Sequence, residues 1–136
     1  MAYGVHSLPF IDIDIRYTRD ILYGAAYLHE HNVAHRDIKG ANVLVTSAGM
    51  CKLADFGVAV HMDKITASIR GTPYFISPEM IRGQATSPGI LERSDVWSIG
   101  CTVFQMATGE PPWSTELAQA SRTPLSNCNR ESARGH

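Results

Sequence analysis

The pattern of apolar and polar positions predicts two long helices on either side of a short β region. Over residues 15–31, apolar residues recur at helical spacing, and one stripe consists of Tyr17, Ile21, Ala25 and Leu28. A second helix is predicted over 94–108, where apolar residues fall on several faces, so we expect burial on most sides. Residues 1–14 are rich in turn formers and are expected to be a loop.

The segment between these helices is predicted to be mostly irregular, with one β-hairpin. Two short apolar runs, 43–45 and 51–54, are separated by turn-forming residues, which is typical of a hairpin. Residues 57–78 show no period and contain glycine and proline, which predicts a long functional loop. A short helix is expected after Glu79, followed by a loop over 83–89.

The chain is predicted to divide into one domain, residues 1–113, and a disordered tail, residues 114–136. The tail is polar and has few large apolar residues and no period. The predicted fold class is therefore mainly α with a small β-hairpin region, an α+β arrangement.

Composition places the 136-residue chain among globular proteins, with 44% apolar and 18% charged residues. The net charge of −1 offers no basic surface, so neither nucleic acid nor a membrane is expected as a partner. The three cysteines are far apart and odd in number, which favours the reducing cytosol. No secretory signal or membrane-spanning stretch is predicted.

Candidate chemistry is concentrated in residues 37–55. Asp37 could accept a proton, Lys39 carries a positive charge, and Asn42 and Asp55 have oxygen atoms suited to magnesium. These are the groups that a phosphoryl-transfer site needs. As an alternative, Asp37 and Asn42 could be ordinary turn residues, and 55–57 could be a strand end and a turn.

Three histidines, His29, His31 and His35, are close enough in sequence to suggest zinc. A zinc site would need a further ligand and convergent geometry. The simpler interpretation places His29 and His31 on an exposed helix end and packs His35 inside the domain.

Four motifs, taken in order, resemble those of the eukaryotic protein kinases. Residues 35–42, His-Arg-Asp-Ile-Lys-Gly-Ala-Asn, resemble the catalytic loop, and Asp-Phe-Gly at 55–57 resembles the metal-binding triplet. Residues 71–79 resemble the end of the activation segment, and 94–100 resemble the start of a buried helix. Over residues 15–113 the chain looks most like the MAP kinase kinase kinase branch of the Ser/Thr kinases.

The resemblance implies a role for each site residue, with ATP and magnesium as cofactors. Asp37 would orient the substrate hydroxyl, and Lys39 would place its charge beside the transferred phosphate and mark a Ser/Thr kinase. Asn42 and Asp55 would bind magnesium, and Leu44 would line the floor under adenine.

Other residues would shape and hold this site, according to the same resemblance. Thr72 would contact Asp37 and Lys39, and Asp95 would accept backbone N–H groups of the catalytic loop. Arg36 would pair with a phosphate on the activation segment, for which the nearest candidates are Thr66 and Ser68. Structural roles are implied for His35, Phe56, Gly57 and Glu79.

The chain lacks the sequence features of a kinase N-terminal lobe, because residues 1–34 contain no lysine and no Gly-x-Gly-x-x-Gly occurs. We therefore expect a partial C-lobe in which the N-lobe is absent. One functional hypothesis is a truncated Ser/Thr kinase that transfers the ATP γ-phosphate to protein hydroxyls but does so poorly alone. The other is a non-catalytic remnant that binds proteins or competes for them. The sequence leaves the oligomeric state open.

Overall fold

The computed structural model describes residues 10–63, 70–83 and 88–122. Its α-helices are α1 (Phe10–Glu30), α2 (Pro78–Ile81), α3 (Pro88–Thr108) and α4 (Ser114–Arg122). Its strands are β1 (Val33–Ala34), β2 (Val43–Val45), β3 (Cys51–Leu53) and β4 (Val60–His61). Two short 3₁₀ helices cover Gly40–Asn42 and Pro73–Phe75.

Packing of α1 against α3 and β3 forms the larger of two apolar clusters. The stripe predicted on α1 supplies two of its buried members, and the full set is Ile21, Ala25, Ile38, Cys51 and Ile99. A second cluster lies between β1, the start of α3 and the segments that follow β4 and Pro78, and consists of Ala34, Met62, Met80 and Leu91. Full burial of an isoleucine, leucine or methionine side chain contributes roughly 1.5–3 kcal/mol, so these clusters fix the segments between the helices.

The predicted hairpin is present as β2 and β3, which pair antiparallel with Val43 opposite Leu53 and Val45 opposite Cys51. Its turn is closed by a hydrogen bond of 2.8 Å from Thr46 N to Met50 O. The Asp20 carboxylate accepts a hydrogen bond of 3.0 Å from Cys51 N, which ties the hairpin to α1. This bond lowers the pKa of Asp20, assisted by the neighbouring Arg19 guanidinium.

Several predicted boundaries are wrong. The helix α1 begins at Phe10, so residues 10–14 are not a loop, and α3 begins at Pro88 within the predicted 83–89 loop. Proline is compatible with a first helical turn because its missing N–H would have no partner there. The pairing of β1 with β4 was not predicted, since two-residue strands are too short to show a period.

The prediction that α3 is buried on most sides is also wrong. Val96 is 57% exposed and Phe104 is 48% exposed in the described part of the chain. The buried face carries polar side chains, including Asp95, Ser98 and Thr102, beside apolar ones such as Ile99. Buried polar side chains need hydrogen-bond partners, and Asp95 and Ser98 bond to the segments that form the site.

The predicted disordered tail is wrong for its first nine residues, because Ser114–Arg122 form α4. Good helix formers occur in this stretch, and Glu116 lies in the first turn, where the helix dipole favours a negative charge. Residues 123–136 lie outside the described residues. None of the helices described here is long and apolar enough to cross a membrane.

Candidate active site

Three predicted site residues meet where the catalytic loop, residues 35–42, faces the segment before Pro73–Phe75. The Thr72 hydroxyl donates a hydrogen bond of 2.9 Å to Asp37 Oδ1 and accepts one of 2.7 Å from Lys39 Nζ. Lys39 Nζ also lies 3.9 Å from Asp37 Oδ2. A carboxylate, a hydroxyl and an ammonium group therefore converge in one partly buried place, although 33 residues or more separate Thr72 from the other two.

Asn42 is bound to the same carboxylate. Its Nδ2 donates hydrogen bonds to Asp37 O at 2.8 Å and to Asp37 Oδ2 at 3.1 Å, and the residue is buried. These two acceptors assign the nitrogen of the Asn42 side-chain amide to the end that faces Asp37. Its Oδ1 has no hydrogen bond to any residue that the structure describes, so this oxygen is available to a cation.

Asp55 lies at the end of the strand next to Asn42, because Ala54 N donates a hydrogen bond of 2.9 Å to Asn42 O. Asp55 is exposed and adopts a left-handed backbone with φ of 58°. Its Oδ1 accepts a hydrogen bond of 3.2 Å from Gly57 N. A carboxylate and an amide oxygen are hard ligands that suit magnesium when phosphate oxygens and waters complete the shell.

The described residues hold no group of three or more His, Cys, Asp or Glu side chains placed to bind a metal ion. The three histidines considered for zinc contact different partners: His29 contacts Asp95, His31 the Tyr27 carbonyl, and His35 the Ala54 carbonyl.

The buried carboxylate of Asp95 holds the start of the catalytic loop. Its Oδ2 accepts a hydrogen bond of 2.9 Å from His35 N, and its Oδ1 accepts one of 2.8 Å from Arg36 N. Arg36 has a φ of 70°, a left-handed conformation that costs a non-glycine residue about 1–2 kcal/mol. The two bonds offset this strain and keep the residue before Asp37 in place.

His35 is fully buried and links the two catalytic motifs. Its Nε2 donates to Ala54 O at 2.9 Å, and its Nδ1 accepts from Asp37 N at 3.2 Å, which assigns the tautomer with the proton on Nε2. Its ring lies 5.2 Å from that of Phe56, centroid to centroid. Phe56 itself is 51% exposed.

Two positive charges interact at the junction of the catalytic loop and the activation segment. Burial lowers the pKa of Arg36, and the positive charge of Arg70 lowers it further, against the opposing effect of Asp95. The backbone is also tight here, since a Cβ on Gly71 would lie 2.8 Å from Arg36 O. Thr66 and Ser68, the predicted phosphate sites, lie outside the described residues.

Two other predicted residues lie apart from this network. Leu44 is 58% exposed on β2. Glu79 is partly buried near the start of α2 and forms no side-chain hydrogen bond or ion pair with the residues described.

Sequence reasoning missed several residues of α3 that anchor the site. Ser98 Oγ donates to Phe75 O at 2.7 Å, and Gln105 Oε1 accepts a hydrogen bond of 3.2 Å from Gly40 N. Thr102 Oγ1 lies 3.5 Å from Ile38 O. We call Asp95, Ser98, Thr102 and Gln105 the polar stripe of α3. Their spacing of three, four and three residues is itself helical and could have revealed them.

Known proteins are similar in sequence to most of this chain. The family model described as protein kinase domain matches residues 11–132. The chain belongs to the protein kinase domain family. The match to this kinase domain continues past residue 113, where the sequence predicted a boundary.

Curated relatives of this kinase domain are MAP kinase kinase kinases. Mitogen-activated protein kinase kinase kinase 3 of Arabidopsis thaliana is 48% identical over 114 residues, which cover 82% of this chain and 18% of that protein. Mitogen-activated protein kinase kinase kinase 3 of Homo sapiens is 47% identical over 112 residues, covering 78% and 17%. The chain thus spans less than a fifth of the length of these relatives. The expected absence of an N-lobe stays a prediction.

Proposed function

We propose that this chain carries the catalytic-loop side of a Ser/Thr protein kinase site. That site would transfer the γ-phosphate of ATP to a serine or threonine hydroxyl of a protein substrate. The convergence of Asp37, Lys39 and Thr72 is the observation that supports this proposal most directly. The similarity to MAP kinase kinase kinases supports the same class of reaction.

The contacts of Asp37 suit it to orient an acceptor hydroxyl. Its Oδ1 already accepts a hydrogen bond from a threonine hydroxyl at 2.9 Å, the length of a normal O–H···O bond. Its Oδ2 is held by Asn42, which limits rotation of the carboxylate. A substrate hydroxyl that reached the same carboxylate would be aligned for in-line attack on the phosphate.

Lys39 would stabilise charge that develops on the transferred phosphate. Its ammonium group is held beside Asp37 by the Thr72 hydroxyl, so it needs little rearrangement when substrate binds. Such preorganised charge is usually the largest contribution to a reaction of this type.

Asn42 and Asp55 would hold magnesium together with the ATP phosphates. A magnesium ion held by these two side chains would supply positive charge that offsets the charge of the phosphate oxygens. Asn42 contributes a buried amide oxygen, and Asp55 contributes an exposed carboxylate at the adjacent strand end. Leu44, exposed on the intervening strand, would support the adenine ring.

A non-catalytic binding role is the second candidate. It is favoured by large apolar side chains that remain exposed, among them Phe104 and Trp113, which line the same pocket, because exposed apolar surface often marks a protein interface. A cytosolic location is proposed for either role, since the described cysteines, Cys51 and Cys101, are free thiols.

Two measurements on the full chain separate these roles. A kinase site should raise the thermal midpoint when MgATP is added and should transfer labelled γ-phosphate to a protein substrate. Asp37→Asn should reduce transfer at least about a hundredfold, whereas Glu30→Gln, which changes an exposed residue at the end of α1, should leave it unchanged. Neither ATP stabilisation nor transfer would be seen if the chain only binds proteins.

A further inference from the structure

His29 contacts the site indirectly, although the sequence placed it on an exposed helix end. Only 16% of its side chain is exposed, and its Nε2 lies 2.8 Å from Asp95 Oδ2. The helix α1 otherwise serves to build the apolar core, and the phosphoryl-transfer proposal assigns no task to this partly buried histidine. The contact joins the last turn of α1 to the beginning of α3.

The same carboxylate oxygen that contacts His29 also holds the catalytic loop. Asp95 Oδ2 accepts the His35 N–H at 2.9 Å, while Oδ1 accepts the Arg36 N–H at 2.8 Å. Because Oδ2 is shared, a change in the charge of His29 changes the electron density available to the loop amide. The affected backbone is the strained turn at Arg36, directly before Asp37.

The charges around His29 favour its protonated form. Its hydrogen bond to Asp95 raises its pKa, burial opposes this effect, and the charges of Asp95 and Glu92 on α3 add to it. On the catalytic loop, the positive charge of Arg36 also interacts with Asp95. His35 turns its ring nitrogens to Ala54 O and to Asp37 N, away from this carboxylate.

We infer that His29 is a positioning residue for the catalytic loop and that its protonation is transmitted through Asp95 to the amides of His35 and Arg36. This inference rests on the proposed function, in which the loop positions Asp37 for phosphoryl transfer. The protonated imidazole gives Asp95 a charge-assisted partner, and the neutral ring gives it a weaker one. The loop is therefore held most firmly while His29 carries its proton and is held less firmly as the pH rises.

Amide signals of the ¹⁵N-labelled full chain, followed by NMR between about pH 5 and pH 9, test this coupling. Three variants are compared with the natural chain. His29→Gln keeps an N–H donor at similar reach but cannot titrate, and His29→Leu removes the donor. His61→Gln is the matched control, since His61 Nδ1 contacts Asp63 Oδ2 at 3.1 Å in an exposed pair that does not touch the loop.

In the natural chain and in His61→Gln, we expect the chemical shifts of the His35 and Arg36 amides to change with pH. The midpoint of this change should be that of the His29 ring. In His29→Gln that transition should be absent, with the signals otherwise retained. In His29→Leu, hydrogen exchange at both amides should be about tenfold faster, as for loss of a hydrogen bond to a charged group. Persistence of the transition in His29→Gln, or unchanged exchange in His29→Leu, would overturn the inference.

These readouts do not depend on turnover. A chain that transfers no phosphate would contradict the proposed function and would still show whether His29 is coupled to the loop. If the Leu variant does not fold, the Gln variant alone decides.

Discussion

The hydroxyl of Thr72 bridges Asp37 and Lys39, with one hydrogen bond of 2.9 Å to the carboxylate and one of 2.7 Å from the ammonium group. This bridge joins the activation segment to the catalytic loop. It also holds the ammonium group of Lys39 beside the carboxylate, with Nζ 3.9 Å from Asp37 Oδ2.

Removing the Thr72 hydroxyl should therefore weaken catalysis more than stability. Thr72→Val keeps the shape of the side chain but breaks both bonds, and we expect phosphotransfer to fall about 10- to 100-fold. Unfolding free energy should fall by only about 1 kcal/mol, since the site is partly open to water. Steady-state kinetics and urea titration measure the two effects. Thr72→Ser should retain most of the activity, and equal losses in both variants would show that the hydroxyl is not responsible.

Asp95→Asn should destabilise the chain strongly. An amide has only one oxygen, so at least one of the three donors around this fully buried side chain would face an N–H group. We expect a loss of about 2–4 kcal/mol in urea unfolding, as for a disrupted buried charge network. Glu92→Gln, an exposed change on the same helix, should alter stability by less than about 0.5 kcal/mol. Similar values for the two variants would mean that the Asp95 network carries little free energy.

Gly71→Ala tests the close approach of the activation segment to the catalytic loop. Gly71 has a φ of 118°, and an added Cβ would lie 2.8 Å from Arg36 O, so both strain and a backbone clash are expected. The cost should exceed about 2 kcal/mol. Gly83→Ala is a matched control, because Gly83 also has positive φ, 68°, but an added Cβ would meet nothing within 4 Å. It should cost only about 1 kcal/mol, and thermal unfolding of both variants compares them.

The stability contributed by His29 should depend on pH with a defined sign. Its pKa is raised in the folded chain, mainly by the bond to Asp95, so folding is favoured by protonation. The contribution is fully present below the ordinary histidine pKa of about 6.5 and is lost as the pH rises through the raised value. The difference in unfolding free energy between the natural chain and His29→Gln should therefore shrink from acid to mildly alkaline pH. A difference that grows with pH would contradict this sign.

Local patterns predicted the parts of the fold that have a strong period or a strong turn signal. The α1 stripe around Ile21 and the β2–β3 hairpin follow from residues adjacent in sequence. The β1–β4 pair could not be predicted in this way, because each strand has two residues and their partners are distant in the chain. The extra turns of α1 and α3 were missed because proline and polar residues near their starts resemble loop sequence.

The side chains that meet at the candidate site were easier to predict than the residues that hold them in place. The order of the motifs placed Asp37, Lys39 and Thr72 in one site, and the structure brings these three together. The role of His29 was missed since helix position alone does not show which face meets a distant carboxylate. Ser98 and Gln105 were missed because polar residues of a helix usually face solvent, and sequence alone does not show that these two bond to other segments.

The polar stripe of α3 has a consequence for how this chain can change in length. Because its anchors lie on one rigid helix, an insertion of one residue between Ser98 and Thr102 would rotate the later anchors by about 100° relative to the earlier ones. The hydrogen bond from Gly40 N to Gln105 would then be lost, while Asp95 would still hold His35 and Arg36. The two ends of the catalytic loop would no longer be positioned by the same helix. Substitutions on the outer face of α3 can be absorbed one at a time, but its residue count is fixed by the loop that it supports.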